Sequence, residues 1–256
     1  LGCATFRFKV PLGLSYPCVE SSLIRISWSR FFTVLRKFET TKTASQKLHN
    51  ILRQHKLVVF SRAYTPAGQG QTDPYACANS KNADAAGLLS EVYMTPQPIS
   101  TKTGAQQLDE ILTMFSNCGV TVVSLWIQVT SPDNWSRTLS TNLNFLNSIF
   151  SRAGQYGVSI GIYTSSSEWN SITDYKKRGN YCRYWNVHGG GVPNETPANF
   201  NDFRSFGGWT SPSVKQFAQT EGFCGITANR YERSSHLLRL DVFILIFFLL
   251  EERVTS

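Results

Sequence analysis

The stretch TVVSLWIQVTSPDNW, residues 121–135, carries the strongest β-strand signal in the chain. Its aliphatic residues are Val122, Val123, Leu125, Ile127 and Val129. The stretch then runs into a Ser-Pro-Asp-Asn loop that ends at Trp135. A hydrophobic strand that ends in a polar loop is where parallel α/β proteins place their functional residues. We therefore expect the functional site at the end of this strand.

Strand-like and helix-like segments alternate on both sides of this stretch. The other predicted strands lie at residues 57–64, 88–95, 158–164, 181–187, 214–220 and 223–229. The predicted helices lie at residues 106–117 and 141–156, between Asp73 and Gly87, after Glu168, and at residues 199–203. We expect Asp73 to cap its helix and Pro74 to take the first helical position. Alternation at this period predicts an α/β fold with a parallel sheet.

The number of strands favours a (β/α) barrel of the TIM type over a doubly wound sheet. Seven strands are recognisable from residue 57 onwards, and a barrel needs one more upstream. We therefore predict an irregular barrel whose first strand is missing or poorly formed. The length of 256 residues suits a single barrel domain. No Gly-x-Gly-x-x-Gly string follows any strand, which argues against a dinucleotide cofactor.

The net charge of +8 is concentrated at one end of the chain. Residues 1–56 contain ten Lys and Arg residues against two acidic residues. Residues 57–229 contain eleven basic and eleven acidic residues, so the body of the chain is electrically balanced. Nucleic-acid binding needs a basic surface on the folded domain. We therefore expect no nucleic-acid partner.

A short apolar run, VFILIFFLL, occupies residues 242–250 near the end of the chain. Nine residues are far fewer than the roughly 20 that a membrane-spanning helix needs. We therefore expect no stable membrane insertion, and we interpret the run either as a strand that docks on the body or as a mispredicted exon end. At the other end, Arg7 and Lys9 interrupt the apolar character of the first residues, so no signal peptide can be identified.

Six cysteines occur without any Cys-x-x-Cys string, and the four histidines form no pair at metal-ligand spacing. We therefore expect no metal site. The cysteine pairs Cys77 with Cys118 and Cys182 with Cys224 are conceivable disulfides, while buried free thiols remain the alternative. Two glycosylation triplets, at Asn134 and Asn194, agree with a secretory route.

Several strings resemble the nematode and protist-type lysozymes of glycoside hydrolase family 25. They are SRAYTPAGQGQTDP, EVYMTPQP, SLWIQVTSPDNW, YWNVHGGG, ETPANFNDFRSFGGW and PSVKQFAQ. The resemblance covers about residues 45–230. It implies a secreted or lysosomal-type (β/α) barrel that needs no cofactor. Such a protein cleaves bacterial peptidoglycan between N-acetylmuramic acid and N-acetylglucosamine, in cell-wall breakdown and innate defence, and we expect it to be a monomer.

The resemblance also divides the chain into three parts. Residues 1–44 form a basic N-terminal segment that does not match, residues 45–230 form the lysozyme-like barrel, and residues 231–256 form a tail with the apolar run. Both ends are typical of non-coding sequence retained in a gene model. The charge excess falls in the first of them.

The chain departs from the family at the catalytic positions. The family's Asp-x-Glu pair aligns with Gln128-Val129-Thr130, and its Asp-x-Asn string aligns with Thr227-Ala228-Asn229. A spacing of two puts Gln128 and Thr130 on one face of the strand, but neither side chain can deliver a proton. Asp133 is the best surviving carboxylate, although a turn residue is the alternative. Glu168 and Glu221 also follow strands and are alternatives of lower rank.

The predicted substrate-binding residues are better preserved than the catalytic ones. They are Arg62, Tyr64, Tyr93, Trp126, Gln128, Tyr163, Trp185 and Asn229. Aromatic rings there, and at Trp135, can stack on sugars, whereas Trp126 can equally be a core residue. Arg62 meets either a muramyl carboxylate or a carboxylate of the barrel.

Three functions remain open from the sequence. The first is a muramidase that uses a displaced set of carboxylates. The second is a catalytically silent protein that binds peptidoglycan or a related glycan in defence. The third is a defective gene product that lacks its first strand and cannot close the barrel.

Overall fold

The computed structural model describes residues 58–174, 182–186, 195–223, 226–233 and 245–248. Four helices and nine strands follow one another in these parts of the chain. In order they are β1 (Val58–Thr65), β2 (Gln71–Thr72), α1 (Ala76–Ala85), β3 (Leu89–Met94), α2 (Gly104–Asn117), β4 (Ser124–Gln128), α3 (Leu139–Tyr156), β5 (Ser159–Thr164), α4 (Ser166–Thr173), β6 (Cys182–Asn186), β7 (Val214–Phe223), β8 (Ile226–Arg233) and β9 (Leu245–Phe248). A single 3₁₀ turn, Pro132–Asn134, follows β4. The predicted α/β class is confirmed.

All nine strands belong to one mixed sheet with the order β2-β1-β3-β4-β5-β6-β7-β8-β9. The pairs from β1 through β3, β4, β5 and β6 to β7 are parallel. The pair β7–β8 is antiparallel, so the prediction of a wholly parallel sheet is wrong there. Only two residues separate these strands, whereas a parallel crossover needs about a dozen.

The strand β9 lies inside the C-terminal apolar run and joins the sheet. It pairs antiparallel with β8 and parallel with β1. For residues 245–248, the prediction that the run docks on the body as a strand is therefore confirmed. No helix in the described parts of the chain is long and apolar enough to cross a membrane.

Two of the helix predictions need correction. The first helix begins at Ala76, because the Asp73 carboxylate accepts the backbone N–H of Tyr75 at 3.0 Å and caps a turn that precedes the helix. No helix forms at residues 199–203, which adopt bends and a turn. The buried Lys215 ammonium donates hydrogen bonds to two backbone carbonyl oxygens of this loop, those of Pro197 at 2.8 Å and Asn199 at 2.9 Å.

The two long helices, α2 and α3, cover one face of the sheet. Thr103 and Gln106 form a capping box at the start of α2, and Gly157 ends α3 with a φ of 68°. A Cβ at Gly104 would lie 2.6 Å from the carbonyl oxygen of Phe145, so glycine there lets the helices approach closely. The buried side chains of this layer include Leu108, Ile111, Phe115, Leu125, Ile127, Leu146 and Ile149.

A disulfide joins Cys77 in α1 to Cys118 at the end of α2. This confirms one of the two conceivable pairings and excludes free thiols at these positions. The partner proposed for Cys182, Cys224, lies outside the described residues. The bond connects segments that are 41 residues apart in sequence.

The opposite face of the sheet carries its own cluster of buried side chains. Its members are Val58, Phe60, Tyr93, Trp126, Val214 and Tyr231, with Tyr163 packed against them. Neighbouring strand residues point to opposite faces, so each strand contributes to both layers. The candidate site lies where this second cluster meets the carboxyl ends of the parallel strands.

Candidate functional site

A pocket of about 370 Å³ opens beside the carboxyl ends of β1, β3, β4 and β5. Binding sites of this size are typical of small ligands and single sugar units. Six of the predicted binding residues line it, namely Arg62, Tyr93, Trp126, Gln128, Tyr163 and Asn229. The other lining residues are Phe60, Thr65, Pro66, Thr95 and Tyr231. The pocket therefore lies at the end of β4, the place where we expect the functional site from the sequence.

The indole of Trp126 belongs both to the pocket wall and to the core. Its exposure is 6%, and the Phe60 ring packs edge-on against it with 5.6 Å between ring centroids. The indole N–H donates a hydrogen bond to Glu91. The Glu91 carboxylate is therefore the hydrogen-bond acceptor of Trp126, and Glu91 is not among the described residues that line the pocket. The two interpretations of Trp126, pocket residue and core residue, both describe its position.

The polar part of the wall is formed by amide and hydroxyl groups at the end of β4. The Gln128 carbonyl oxygen accepts the Thr95 hydroxyl at 2.8 Å, and its amide nitrogen donates to the Thr130 hydroxyl at 3.0 Å. Gln128 and Thr130 thus share one face, as their spacing predicts. These groups can donate and accept hydrogen bonds but carry no acidic proton at neutral pH.

Tyr163 and Tyr231 are held in the pocket wall by one shared acceptor. Both phenol hydroxyls donate to the Gln216 carbonyl oxygen, at 3.0 Å from Tyr163 and 2.8 Å from Tyr231. Burial raises the pKa of both phenols far above their ordinary value, so they remain neutral. Burial likewise raises the pKa of Tyr93, partly offset by the nearby Arg62.

Gln216 and Tyr231 were not among the predicted site residues. Gln216 lies two positions after Val214 in β7, so strand alternation puts both side chains on the same face of the sheet. That pattern was available from the sequence for Gln216. Tyr231 follows the predicted end of β8 at residue 229, so its place in the strand was missed.

Arg62 pairs with Asp73 at the edge of the pocket. The Arg62 Nε donates to Asp73 Oδ2 at 2.9 Å. Asp73 lies in the loop after β2, so the partner is a loop carboxylate and not one from a strand of the sheet. Arg62 keeps 26% of its side chain exposed, whereas only 11% of the Asp73 side chain is exposed.

Tyr64 does not reach the pocket, which corrects its place among the predicted binding residues. Its side chain is fully buried in the layer under the helices, and its hydroxyl donates to Glu110 Oε2 at 2.8 Å. Simple alternation would put Tyr64 on the same face as Arg62. The register of β1 against β3 shifts between these two residues, and such a bulge turns the following side chain to the other face.

Trp135 is also a core residue. Its exposure is 5%, its N–H donates to the Thr130 carbonyl oxygen at 3.0 Å, and its ring packs edge-on against Phe145. It therefore closes the loop after β4 and does not offer a free ring for stacking.

Two of the predicted carboxylates, Asp133 and Glu168, are not among the described residues that line the pocket. Asp133 is exposed in the 3₁₀ turn, which agrees with its interpretation as a turn residue. Glu168 lies in the first turn of α4, where it accepts the Ser131 backbone N–H at 3.0 Å and the Ser165 hydroxyl at 2.7 Å. Glu221 lies within β7, because that strand extends to Phe223.

The remaining predicted residues lie in the last strands of the sheet. Trp185 lies in β6 and pairs in register with Thr164 of β5. Thr227 pairs with Gly222 in the β7–β8 hairpin. Asn229 lines the pocket and accepts the Thr220 backbone N–H at 2.9 Å. The described residues contain no group of three or more His, Cys, Asp or Glu side chains that could hold a metal ion.

Sequence comparison identifies close relatives. The model of the family described as Lysozyme-like protein 1 matches residues 37–217. Lysozyme-like protein 7 of Caenorhabditis elegans is 55% identical over 192 residues, which is 74% of this chain and 68% of the relative. Probable GH family 25 lysozyme 2 of Dictyostelium discoideum is 32% identical over 166 residues, covering 64% of this chain and 74% of the relative.

The chain spans part of the length of its nematode relatives. Lysozyme-like protein 1 of Caenorhabditis elegans is 51% identical over 180 residues, which is 67% of this chain but 59% of the relative. Across four nematode relatives, the match covers between 58% and 68% of the relative's own length.

Solved structures share the fold at low sequence identity. The muramidase from Trichobolus zukalii superposes with a TM-score of 0.53 at 16% identity, covering 71% of this chain and 83% of that one. The bacterial lysozyme from Streptomyces coelicolor superposes with a TM-score of 0.51 at 15% identity, covering 73% of this chain and 86% of that one. With residues 37–217 matched by the family model and a nematode relative 55% identical, this chain belongs to the lysozyme-like proteins related to glycoside hydrolase family 25.

Proposed function

We propose that this chain acts on bacterial peptidoglycan through a muramidase-like site that binds the glycan strand and hydrolyses little of it. The observation that carries the proposal is the pocket of about 370 Å³ at the carboxyl ends of the parallel strands. This is the edge at which barrels of this class act on their ligands. The names of the relatives and of the structural neighbours, which are lysozymes and muramidases, point to the same substrate class.

The pocket wall suits a sugar. Trp126 and Tyr163 offer aromatic surface against the apolar face of a pyranose ring. Gln128, Thr95 and Asn229 offer amide and hydroxyl groups to sugar hydroxyls and N-acetyl groups. An apolar wall with a few fixed polar groups is the general composition of a small-molecule site.

Binding with little hydrolysis is the outcome that this geometry supports best. None of the residues that line the pocket, within the described parts of the chain, is a carboxylic acid. Glycoside cleavage requires an acid that protonates the leaving oxygen and a second carboxylate that supports the oxocarbenium-like transition state. General acid catalysis contributes about 10²–10⁴-fold, so its loss leaves little turnover.

Hydrolysis by a displaced carboxylate is the second candidate, and one observation favours it. Glu168 is bonded to the backbone N–H of Ser131, which directly follows Thr130 at the end of β4. Ser131 adopts a left-handed backbone with a φ of 55°, which costs on the order of 1 kcal/mol and is frequent at functional sites. Burial raises the pKa of Tyr163 in the pocket wall, and the negative charge of Glu168 raises it further.

The test uses the full chain with insoluble peptidoglycan and measures both retention and release of reducing ends. We expect retention of the protein with release at the level of the protein-free control. Tyr163→Leu should weaken retention, whereas Tyr156→Leu, on an exposed phenol at the end of α3, should not. Absence of retention in the wild-type chain would contradict the proposed function.

The same assay separates the two candidates. Release of reducing ends that Glu168→Gln abolishes and Asp133→Asn leaves unchanged would establish the displaced carboxylate. If Asp133→Asn abolishes the release of reducing ends, Asp133 is the displaced carboxylate. Retention without release in all variants supports the binding function.

We further propose that the sheet forms an irregular barrel of the TIM type, in which the lysozyme-like unit at about residues 45–230 is joined by β9 from the tail. The pairing of β9 with both β8 and β1 supports this architecture. We also propose a secreted or lysosomal-type monomer in innate defence. The disulfide between Cys77 and Cys118 supports an oxidising compartment, because such bonds are rare in the cytosol.

A further inference from the structure

Among the described residues that line the pocket, Arg62 is the one with a charged side chain. About a quarter of its side chain, 26%, remains exposed. The tyrosines beside it are neutral, because burial raises the pKa of Tyr93 and Tyr163. Among the described residues of this pocket, a ligand therefore meets neutral donors and acceptors and the guanidinium group of Arg62.

The guanidinium is fixed before any ligand arrives. Its Nε donates to Asp73 Oδ2 at 2.9 Å. Asp73 is itself held, because its Oδ1 accepts the Tyr75 backbone N–H at 3.0 Å and its own N–H donates to the Ala63 carbonyl oxygen at 2.9 Å. Asp73 is 8% exposed, so it orients Arg62 from below the surface.

The bond to Asp73 uses one of the five N–H donors of the guanidinium. Within the described parts of the chain, Asp73 is its hydrogen-bond partner. The terminal Nη groups are thus available to an acceptor that enters the pocket. Asp73 offsets the net charge of the pair, so the pair acts through local hydrogen-bond geometry and exerts little long-range attraction.

We propose that Arg62 binds a carboxylate carried by the glycan, so that the pocket prefers muramic-acid-type sugars over glycans made of N-acetylglucosamine alone. A guanidinium matches a carboxylate with two parallel N–H···O bonds, a geometry that lysine cannot reproduce. The inference rests on the proposed function. The carboxylate has two possible sources, the lactyl group of a muramic acid without its peptide and the acidic groups of the stem peptide.

The first experiment uses the wild-type chain and four soluble ligands in titration calorimetry. They are a disaccharide of N-acetylglucosamine and N-acetylmuramic acid with a free lactyl carboxylate, its lactyl amide, the same disaccharide with a stem peptide, and an N-acetylglucosamine oligomer. We expect the free acid to bind about 10- to 100-fold more tightly than the amide and the neutral oligomer, which is the range of a charge-assisted hydrogen bond. Tight binding of the stem-peptide form alone assigns the carboxylate to the peptide.

Variants test whether Arg62 carries this preference. Arg62→Gln should reduce the acid-to-amide ratio of affinities to about one, and Arg62→Lys should retain part of it. Arg152→Gln is the matched control, because Arg152 also pairs with an aspartate, Asp109, at 2.8 Å, but lies outside the pocket. It should leave the ratio unchanged.

A buried Asp73 without its partner can destabilise the fold, so Arg62→Gln is also combined with Asp73→Asn. The thermal unfolding midpoint of each variant is measured beside its affinities. The double variant should bind the neutral oligomer like the wild type and have no preference for the acid.

The outcomes separate the two proposals. Equal affinity of the wild type for the acid, the amide, the stem-peptide form and the neutral oligomer overturns the role of Arg62 and leaves the glycan-binding function intact. A preference for the acid that persists in Arg62→Gln also overturns it. Failure of the wild type to bind any of the four ligands overturns both.

Discussion

Trp126 lies directly against Gly161, its partner in the parallel register of β4 and β5. A Cβ added at position 161 would stand 2.3 Å from the indole Cε3 atom, a distance that real Cβ atoms do not adopt. The indole therefore occupies the space that a side chain at position 161 would fill. This close approach sets the floor of the pocket, since Trp126 lines it.

Replacing Gly161 with alanine should destabilise the protein and disturb the pocket. The added methyl group forces Trp126 out of its position, and overpacking of this kind costs about 1–3 kcal/mol. Chemical denaturation with tryptophan fluorescence measures both effects. Gly154→Ala is the control, because a Cβ there meets nothing within 4 Å and the position lies in α3. Equal stability of both variants would contradict the packing argument.

Replacing Gln216 with alanine should lower the stability of the fold and also weaken glycan binding, because Tyr163 and Tyr231 line the pocket. The variant removes the carbonyl oxygen to which the Tyr163 and Tyr231 hydroxyls both donate, and the loss of each of these hydrogen bonds costs about 0.5–1.5 kcal/mol. Glu at this position keeps an acceptor and should restore part of the affinity. The measurement is retention on peptidoglycan beside the unfolding midpoint. Gln155→Ala, whose side chain bonds to Arg152 on the surface, is the control and should behave like the wild type.

Breaking the disulfide should lower stability without altering the residues that line the pocket. The chain-entropy relation gives about 4 kcal/mol for a loop closed over a separation of 41 residues. Neither Cys77 nor Cys118 lines the pocket. We expect Cys77→Ser combined with Cys118→Ser to lower the denaturation midpoint while glycan retention persists below that midpoint. Loss of retention in a variant that remains folded would show that the bond also shapes the site.

Glu232 should make stability depend on pH near neutrality. Burial raises its pKa from about 4.5 to about 7 in the folded chain. The folded state therefore holds a proton that the unfolded state has released, and stability falls as the pH rises from about 4.5 to about 7. Glu232→Gln should flatten this part of the profile and raise stability above pH 7. Denaturation midpoints measured from pH 4.5 to 8 check it, and an unchanged slope would contradict the assignment.

Much of the fold followed from hydrophobic periodicity. The alternation in TVVSLWIQVT predicted β4, and the helical spacing of Leu108, Ile111 and Phe115 predicted α2. These patterns arise because one face of each segment is buried, so the hydrophobic residues of the segment follow the period of its helix or strand. The antiparallel turn between β7 and β8 was also implied by their short connection, although the expectation of regular alternation concealed it.

The candidate site was predictable where a strand stays regular and not where it bends. Gln128 lies where the spacing puts it, beside Thr130 and facing the pocket. Tyr64 does not, because the shift in register after Arg62 reverses its face. A bulge depends on how two strands pair, and no single segment records that pairing.

The sequence by itself determined the family and the α/β class, because these depend on residue identity and short-range period. The tertiary structure alone decided which side chains meet. It paired Arg62 with Asp73 and gave Tyr163 and Tyr231 a common acceptor in Gln216. Such contacts join residues that are far apart in the chain, so they arise from strand order and register. A linear pattern of hydrophobicity does not encode either of these.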